Sequence, residues 1–259
     1  MTRSTSEASI GNRAVLSFKL GNSWAISIFR KEMGTDIILN EALVEYIQDS
    51  IPPEPGVLKE LRDITNNLGS MSVMQISWVQ ARFMQTLIQL TGAKTYLEIG
   101  TFTGYSAIAM AIGLPEDGRV ITLDKDKRWT DIGKSYWESL GFKDKVNLYL
   151  GDATQSLLKL IETGYKEKID IIFIDADKHS LQTYLNLSHK LAKPGGLILI
   201  DNVLWKGGVI DPIDTRKNTR SIIEFNKTLK NDPRFAISMI PVGDGMTLAI
   251  KLNSKIKFN

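Results

Sequence analysis

The sequence predicts an α/β fold with a doubly wound, mostly parallel seven-stranded sheet that is covered by helices on both faces. Short apolar runs alternate regularly with helical patterns through the middle of the chain. Such an alternation of strand and helix is typical of a parallel sheet with helices on both sides. A Gly-Asp-Gly turn at 243–245 lies between two further apolar runs, which predicts an antiparallel hairpin at one edge of the sheet.

Three helices are expected ahead of the first strand, as a cap over the sheet. Apolar residues recur there at helical spacing, a proline-rich stretch at 51–55 ends the first helix, and Gly92 ends the third. These helical segments are 39–47, 58–64 and 76–91. The predicted strands are 95–99, 120–123, 146–150, 169–174 and 197–200, with helices between them at 106–112, 129–140, 153–162 and 180–192. A helix at 219–230 and hairpin strands at 235–241 and 246–251 complete the order.

The composition is that of an ordinary globular protein. The chain has 259 residues, 43% of them hydrophobic and 24% charged, which allows one domain with a sizeable core. Its 32 basic and 29 acidic residues give a net charge of +3, too balanced to indicate a polyanion partner by itself. Because the chain has no cysteine, disulfides, zinc–thiolate sites and cysteine nucleophiles are excluded.

The N-terminal residues 1–33 are expected to be an extension, and residues 34–259 a single domain. We interpret the extension as poorly ordered or as an over-long start upstream of Met33, with a transit peptide as the alternative. No apolar run approaches the roughly 18 residues needed to span a membrane. We therefore expect a cytoplasmic location and no membrane partner.

Oxygen-bearing side chains follow two of the predicted strands at the point where each strand ends. Asp175 follows the apolar run 169–174, and Asp201 and Asn202 follow the run 196–200. In an open α/β sheet, ligands bind at the carboxyl ends of the strands. Two carboxylates and an amide oxygen suit a hard cation, so the sequence predicts a site for Mg²⁺, Mn²⁺ or Ca²⁺.

A glycine-rich turn follows the first strand and opens a helix. Gly100 and Gly104 allow a sharp turn and a close approach to a ligand, and Ser106 adds a hydroxyl at the helix N-terminus. Asp124 ends the second strand, at the position where an acid usually holds ribose hydroxyls. This turn indicates a nucleotide-type cofactor, with a tight turn that binds no ligand as the alternative.

The details of the turn favour S-adenosylmethionine (SAM) over a dinucleotide. The glycine spacing is G-x-x-x-G and not G-x-G-x-x-G, and Glu98 would meet a pyrophosphate with a negative charge. The ammonium group of SAM suits Glu98, and its ribose suits Asp124. Residues 151–153 would border the adenine, although Asp152 is equally well explained as a helix N-cap.

From Glu54 to Lys251 the chain resembles the divalent-cation-dependent class I O-methyltransferases, the group of caffeoyl-CoA and catechol O-methyltransferases. The motifs that carry the resemblance are Leu58-Lys59-Glu60-Leu61-Arg62, Leu97-Glu98-Ile99-Gly100, Thr103-Gly104-Tyr105-Ser106, Phe173-Ile174-Asp175-Ala176-Asp177-Lys178, Asp201-Asn202-Val203-Leu204-Trp205 and Pro241-Val242-Gly243-Asp244-Gly245. The resemblance implies a class I, Rossmann-like methyltransferase fold, commonly seen as a homodimer. It implies metal ligation by Asp175, Asp201 and Asn202. The cofactor contacts that it implies are Ile76, Glu98, Gly100, Thr101, Ser106, Asp124 and Ala153.

The implied chemistry is methyl transfer to a hydroxyl of a vicinal dihydroxy aromatic small molecule. A divalent cation acts as a Lewis acid on such a phenol and orients it. Lys178, three residues after Asp175, is the candidate base and with Asp175 forms the expected catalytic pair; a solvated surface lysine is the alternative. Asp177, Trp205 and Lys206 are candidate substrate contacts, with a helix-start acid and a packing tryptophan as alternatives for the first two.

The segment 77–83 departs from the family pattern, which puts the substrate and cofactor contacts of Gln80, Ala81 and Arg82 in doubt. Lys206 also departs from the pattern, so caffeoyl-CoA itself is not assigned as the substrate. Two alternatives stay open. One is a tRNA hydroxyuridine O-methyltransferase of the same fold, whose basic residues near the site would bind phosphates. The other is a non-catalytic nucleotide-binding module, against which the intact cation ligands argue.

Overall fold

The computed structural model describes residues 7–9, 13–20, 23–30 and 39–253. The chain divides into two compact units, Met1–Ile47 and Gln48–Asn259. In the first unit, three antiparallel strands form one sheet in chain order, and helix α1 (Glu41–Asp49) begins after them. The strands are β1 (Glu7–Ser9), β2 (Arg13–Leu20) and β3 (Ser23–Arg30).

These strands lie in the stretch that we expected to be a poorly ordered extension. A signal for them is present in the sequence, because Gly21-Asn22 separates two apolar runs as the turn of a hairpin would. The unit boundary at residues 47 and 48 also differs from the predicted domain boundary at 33 and 34, and the single domain over 34–259 stays a prediction.

The second unit alternates strands and helices around one seven-stranded sheet. Its helices are α2 (Gly56–Asn66), α3 (Trp78–Thr91), α4 (Tyr105–Gly113), α5 (Lys127–Ser139), α6 (Ala153–Leu160), α7 (Leu181–Leu191) and α8 (Lys217–Lys230). Its strands are β4 (Thr95–Ile99), β5 (Arg119–Asp124), β6 (Val146–Leu150), β7 (Ile169–Ile174), β8 (Ala192–Asp201), β9 (Phe235–Ile240) and β10 (Met246–Lys251). Two 3₁₀ segments, Gly69–Met74 and Trp205–Ile210, and a π turn, Ile161–Tyr165, complete it.

The strand order is β6-β5-β4-β7-β8-β10-β9, parallel from β6 to β8 and antiparallel through the hairpin β9–β10. This order confirms the predicted fold class, including the hairpin at one edge. The chain runs outwards from β4 to β6 and then returns to place β7 on the other side of β4. The ends of β4 and β7 therefore form the switch point at which ligands of such sheets bind.

Helices cover both faces of the sheet. One apolar cluster joins the sheet to α2–α5 through residues such as Leu58, Met84 and Tyr105, and a second joins it to α6–α8 through residues such as Leu157 and Ile222. Alternate residues of a strand belong to opposite clusters, as the two-residue period of a strand requires. The site at the strand ends is therefore built on a sheet that is fixed from both sides.

Most predicted boundaries differ from the observed ones by one or two residues, and for two of the differing boundaries the structure shows a local reason. Helix α3 begins at Trp78 and not at residue 76, because Ser77 is its N-cap and accepts a hydrogen bond from the Gln80 backbone (3.1 Å). Strand β8 begins at Ala192, five residues before the predicted start, because Ala192 already pairs with Ile169 across an irregular register.

A fully buried carboxyl group lies inside the sheet at Glu98 of β4. Its oxygens accept hydrogen bonds from Thr122 Oγ1 (2.6 Å) and Tyr96 Oη (3.1 Å), and Thr122 is in turn hydrogen-bonded to Thr101. Burial raises the pKa of Glu98 to about 7, although hydrogen bonds from Thr122, Ser106 and Tyr96 oppose the rise. A polar chain thus runs from the core to the glycine-rich turn.

Another constraint is the close approach of the turn to β7. Gly100 has φ +104°, and a Cβ at this position would overlap the carbonyl oxygen of Asp175. Only glycine allows this backbone conformation and this approach together. The glycine-rich turn is therefore held against the end of β7, which is followed directly by Asp175, a predicted cation ligand.

Replacing Glu98 by Gln is expected to stabilise the protein at pH 8 and to flatten its stability profile between about pH 4.5 and 7. The pKa is raised from its usual value of 4.5, so the folded chain binds more protons than the unfolded chain in this window. The stabilising contribution of Glu98 is complete below about pH 4.5 and is lost as the pH rises through about 7. Urea unfolding at several pH values measures both effects. Exposed Glu138→Gln is the control, and a Glu98→Gln profile parallel to that of the wild type would contradict the expectation.

Gly100→Ala is expected to lower the free energy of unfolding by about 2–5 kcal/mol, because backbone strain and overlap with Asp175 add. Two alanine controls separate these causes. Gly69 has φ +64° but open space around it, so Gly69→Ala is expected to show strain alone. Gly56 has open space and an unstrained backbone, so Gly56→Ala is expected to be nearly neutral. Equal losses for Gly100→Ala and Gly69→Ala in urea unfolding would refute the close-approach argument.

Candidate active site

The register of the parallel strands brings the predicted site residues to one edge of the sheet. Ile99 pairs with Leu123 on one side and with Ile174 on the other, and Ile174 pairs with Ile200. The residues that follow these strand positions therefore line up along the edge. They are Gly100, Asp124, Asp175 and Asp201.

Asp175 and Asp201 are neighbouring carboxyl groups on adjacent strands. Asp201 is 3% exposed, and its pKa is raised to about 7 by burial and by the charge of Asp175. Burial also raises the pKa of Asp175, although Lys178 opposes the rise. Among the residues that the structure describes, Asp201 Oδ1 has no hydrogen-bond partner. Two mutually repelling carboxylates and a buried acceptor without a partner fit a divalent cation.

Asn202 lies directly after Asp201 in the left-handed conformation, with φ 59°. Asparagine tolerates this conformation better than most residues. The next two backbone N–H groups bind the hairpin turn, Val203 to Gly245 O and Leu204 to Asp244 O (both 3.1 Å). No group of three or more His, Cys, Asp or Glu side chains suited to a metal occurs within the described ranges, and the role of the Asn202 amide as a third ligand stays a prediction.

Asp124 shapes the glycine-rich turn. Its Oδ2 accepts hydrogen bonds from the backbone N–H groups of Thr101 (3.0 Å) and Phe102 (2.8 Å), and its Oδ1 accepts one from Asp126 N (2.9 Å). A carboxylate has about four acceptor positions, so capacity remains for a ribose hydroxyl. We predicted a cofactor contact at Asp124 but not this second task.

Glu98 and Ser106 lie beneath the turn. Glu98 has no exposed surface, and its carboxyl group accepts hydrogen bonds from Ser106 and Thr122. The sequence instead suggested that the charge of Glu98 faces the cofactor ammonium. Ser106 is buried in the first turn of α4 and lowers the pKa of Glu98 by hydrogen bonding. A direct contact between Glu98 and a cofactor stays a prediction.

The remaining predicted cofactor contacts lie on fixed backbone. Ile76 is buried, and its carbonyl oxygen accepts a hydrogen bond from Arg62 Nη1 (3.2 Å). Ala153 begins α6, where Asp152 accepts a hydrogen bond from the Gln155 backbone (2.9 Å) as an N-cap. The N-cap interpretation of Asp152 is therefore confirmed.

A polar network that the sequence did not reveal holds Ile76 near the turn. Arg62 forms an ion pair with Glu54 (3.0 Å), bonds Gln75 Oε1 (3.1 Å) and lies 4.3 Å above the ring of Tyr105. Tyr105 in turn is hydrogen-bonded to Glu54. Arg62 belongs to a motif that we noted, but sequence spacing alone could not connect it with Glu54 or Tyr105.

Lys178 is 8% exposed, and its Nζ lies 3.5 Å from Asp175 Oδ1. This burial excludes the alternative of a solvated surface lysine. The ammonium or amine group of Lys178 is therefore held at the same strand end as the predicted cation ligand.

The three candidate substrate contacts differ in their environment. Both oxygens of Asp177 are engaged, by Tyr184 Oη (2.7 Å) and by Ser180 N (3.0 Å), which favours the helix-start alternative. Trp205 is half-buried against the cluster that joins the sheet to α6–α8, which favours the packing alternative. Lys206 is exposed.

The segment 77–83 turns out to be largely structural. Trp78 Nε1 donates to Pro52 O (2.8 Å), Ala81 lies in the core, and Arg82 bonds Gln85 Oε1 (3.2 Å) on its own helix. Gln80 is the exception, because it is buried next to Asp201 and lowers the pKa of that carboxyl group.

Comparison with known proteins places this chain in a family. A family model described as O-methyltransferase matches residues 48–252. The chain is 39% identical to a caffeoyl-CoA O-methyltransferase from Eucalyptus gunnii over 87% of this chain and 94% of that protein. It is 38% identical to tapetum-specific methyltransferase 1 from Arabidopsis thaliana over 83% of this chain and 96% of that protein.

Solved structures agree with the sequence comparisons. An O-methyltransferase from Bacillus cereus in complex with SAH is 34% identical, with a TM-score of 0.73 over 81% of this chain and 97% of that one. The O-methyltransferase TomG from Streptomyces achromogenes, in complex with SAM, is 27% identical, with a TM-score of 0.74 over 82% and 96%. These matches confirm the resemblance and the predicted enzyme class: the chain belongs to the O-methyltransferase family.

Proposed function

We propose that this enzyme transfers the methyl group of SAM to one hydroxyl of a vicinal dihydroxy aromatic small molecule and uses a divalent cation to do so. The observation that carries the proposal is the pair of neighbouring carboxyl groups at the next strand ends after the glycine-rich turn, with Asp201 buried and Asp175 half-buried. The bound SAM and SAH in two similar structures, and the names of the plant relatives, support it.

The cofactor half of the site consists of the turn and its supports. Gly100 and Thr101 would contact SAM through their backbone, with Ser106 at the helix N-terminus and Asp124 at the ribose. Ile76 and Ala153 would border the cofactor from neighbouring loops. Asp124 fixes the turn by two backbone hydrogen bonds, from Thr101 and Phe102, so the turn would need little rearrangement to accept the cofactor.

The chemical half consists of the next two strand ends. Asp175, Asp201 and Asn202 would hold the cation, which when bound supplies Lewis-acid polarisation of a hydroxyl and a fixed orientation for the diol. Lys178 Nζ is held at the same strand end, 3.5 Å from Asp175 Oδ1, and in its amine form it would accept the proton of the reacting hydroxyl. Trp205 and Lys206 would lie at the substrate side, and Asp177 would position Tyr184 more than it contacts substrate.

The alternative of a tRNA substrate is not favoured. Of the basic residues that would bind phosphates, Arg216 already forms an ion pair with Asp214.

A homodimer remains part of the proposal, supported by the exposed apolar side chains of Ile237 and Met239 on the outermost strand β9. No helix in the described parts of the chain is long and apolar enough to cross a membrane.

Chelation is expected to abolish methyl transfer to catechols. With EDTA, activity on a catechol panel should fall at least about a hundredfold, because the diol loses both its orientation and its polarisation. Mg²⁺ or Mn²⁺ added in excess should restore it. Asp201→Ala should show the same loss without EDTA, whereas Asp211→Ala, in an exposed loop, should not. Activity that is indifferent to EDTA would contradict the cation mechanism.

Asp124→Asn is expected to raise the KM for SAM by about 10–100-fold with little change in kcat. Hydrogen bonds to a charged group are worth about 1.5–3 kcal/mol, and the turn acts on the cofactor equally in the ground and transition states. Steady-state kinetics at saturating catechol separates KM from kcat. Asp126→Asn, at the N-cap of α5, is the control. A selective fall in kcat would show that Asp124 does not act through cofactor binding.

A further inference from the structure

Gln80 is a buried polar side chain near the predicted cation site, and the proposed mechanism gives it no role. It lies in the first turn of α3, where the Ser77 cap fixes its backbone, and it is 2% exposed. A buried amide without full hydrogen bonding costs free energy, so its retention there needs a reason.

The amide is confined on its oxygen side by the hairpin turn between β9 and β10. A Cβ on Gly243 would lie 2.5 Å from Gln80 Oε1, so this oxygen packs directly on the glycine backbone. The same hairpin holds Asp201, which pairs with Met246 of β10. Because the oxygen packs there, Nε2 is the atom of the amide that is left without a hydrogen-bond partner among the described residues.

Gln80 Nε2 and Asp201 Oδ1 are complementary atoms. Each is buried and lacks a hydrogen-bond partner within the part of the chain that the structure describes, and one is a donor while the other is an acceptor. The reversed amide would bring two acceptors together. A carboxylate oxygen has two lone pairs, so a bond to Nε2 leaves one on Oδ1 for a cation.

We propose that Gln80 is a positioning residue for the cation site, which donates from Nε2 to Asp201 Oδ1 and sets the orientation of that carboxylate. Gly243 supports it by leaving room for the amide oxygen. This inference rests on the proposed function, since it needs the cation to bind at Asp201. Partners that orient a metal ligand typically change metal affinity by about 10–100-fold when they are removed.

The test measures the affinity of the full chain for Mn²⁺ by electron paramagnetic resonance, in the absence of SAM and substrate. Gln80→Met keeps the length of the side chain and removes the donor, and it is expected to weaken Mn²⁺ binding by about 10–100-fold. Gln85→Met is the matched control, because Gln85 is buried on the same helix but bonds Ala109 O (2.8 Å). It should bind Mn²⁺ as the wild type does. SAM affinity, measured by calorimetry, should be unchanged in both variants.

The outcomes separate the inference from the proposed function. If the wild type binds Mn²⁺ and Gln80→Met binds it equally well, the inference is wrong and the proposed function stands. If both variants weaken binding equally, Gln80 acts only through the stability of α3, and the inference is again overturned. If the wild type binds no Mn²⁺, the cation part of the proposed function fails and the inference fails with it.

Discussion

The contact between Gly100 and the carbonyl of Asp175 is the constraint on which the rest of the site depends. It joins the ends of β4 and β7, the two strands between which the chain changes direction. On one side of this contact lies the turn that would hold the methyl donor, and on the other lie the carboxylates that would hold the acceptor through a cation. Methyl transfer requires both partners within reach of each other, and the turn and the carboxyl groups that would hold them lie on adjacent strands.

The electrostatics of the carboxyl groups at the ends of β7 and β8 favour the binding of a cation there. Burial raises the pKa values of Glu98, Asp175 and Asp201, and the last two repel each other. Within the described chain, Lys178 provides the ion pair of Asp175, at 3.5 Å. Such an arrangement costs stability in the folded protein, and a divalent cation would offset that cost. Glu98 differs from the other two, because hydroxyl groups satisfy its oxygens and it supports the turn from inside the sheet.

Much of this could be predicted from the sequence because strand patterns and turn signals are local. The apolar runs at 169–174 and 197–200 predicted where two strands end, and the Gly-Asp-Gly turn predicted the hairpin at the edge of the sheet. Contacts between distant residues were beyond such reasoning. The hydrogen bonds of Asp124 to the turn, the burial of Glu98 and the ion pair of Arg62 with Glu54 depend on register and packing. Gln80 is instructive, since its departure from the family pattern was visible but its place beside Asp201 was not.

The most direct test of the account is anomalous diffraction from crystals of the protein grown with Mn²⁺. The account predicts one strong peak bounded by Asp175, Asp201 and Asn202, at the end of β7 and β8, and its loss in crystals of Asp201→Ala. A peak elsewhere, or no peak at saturating Mn²⁺ in an enzyme that still methylates catechols, would contradict the claim that these strand ends form the cation site.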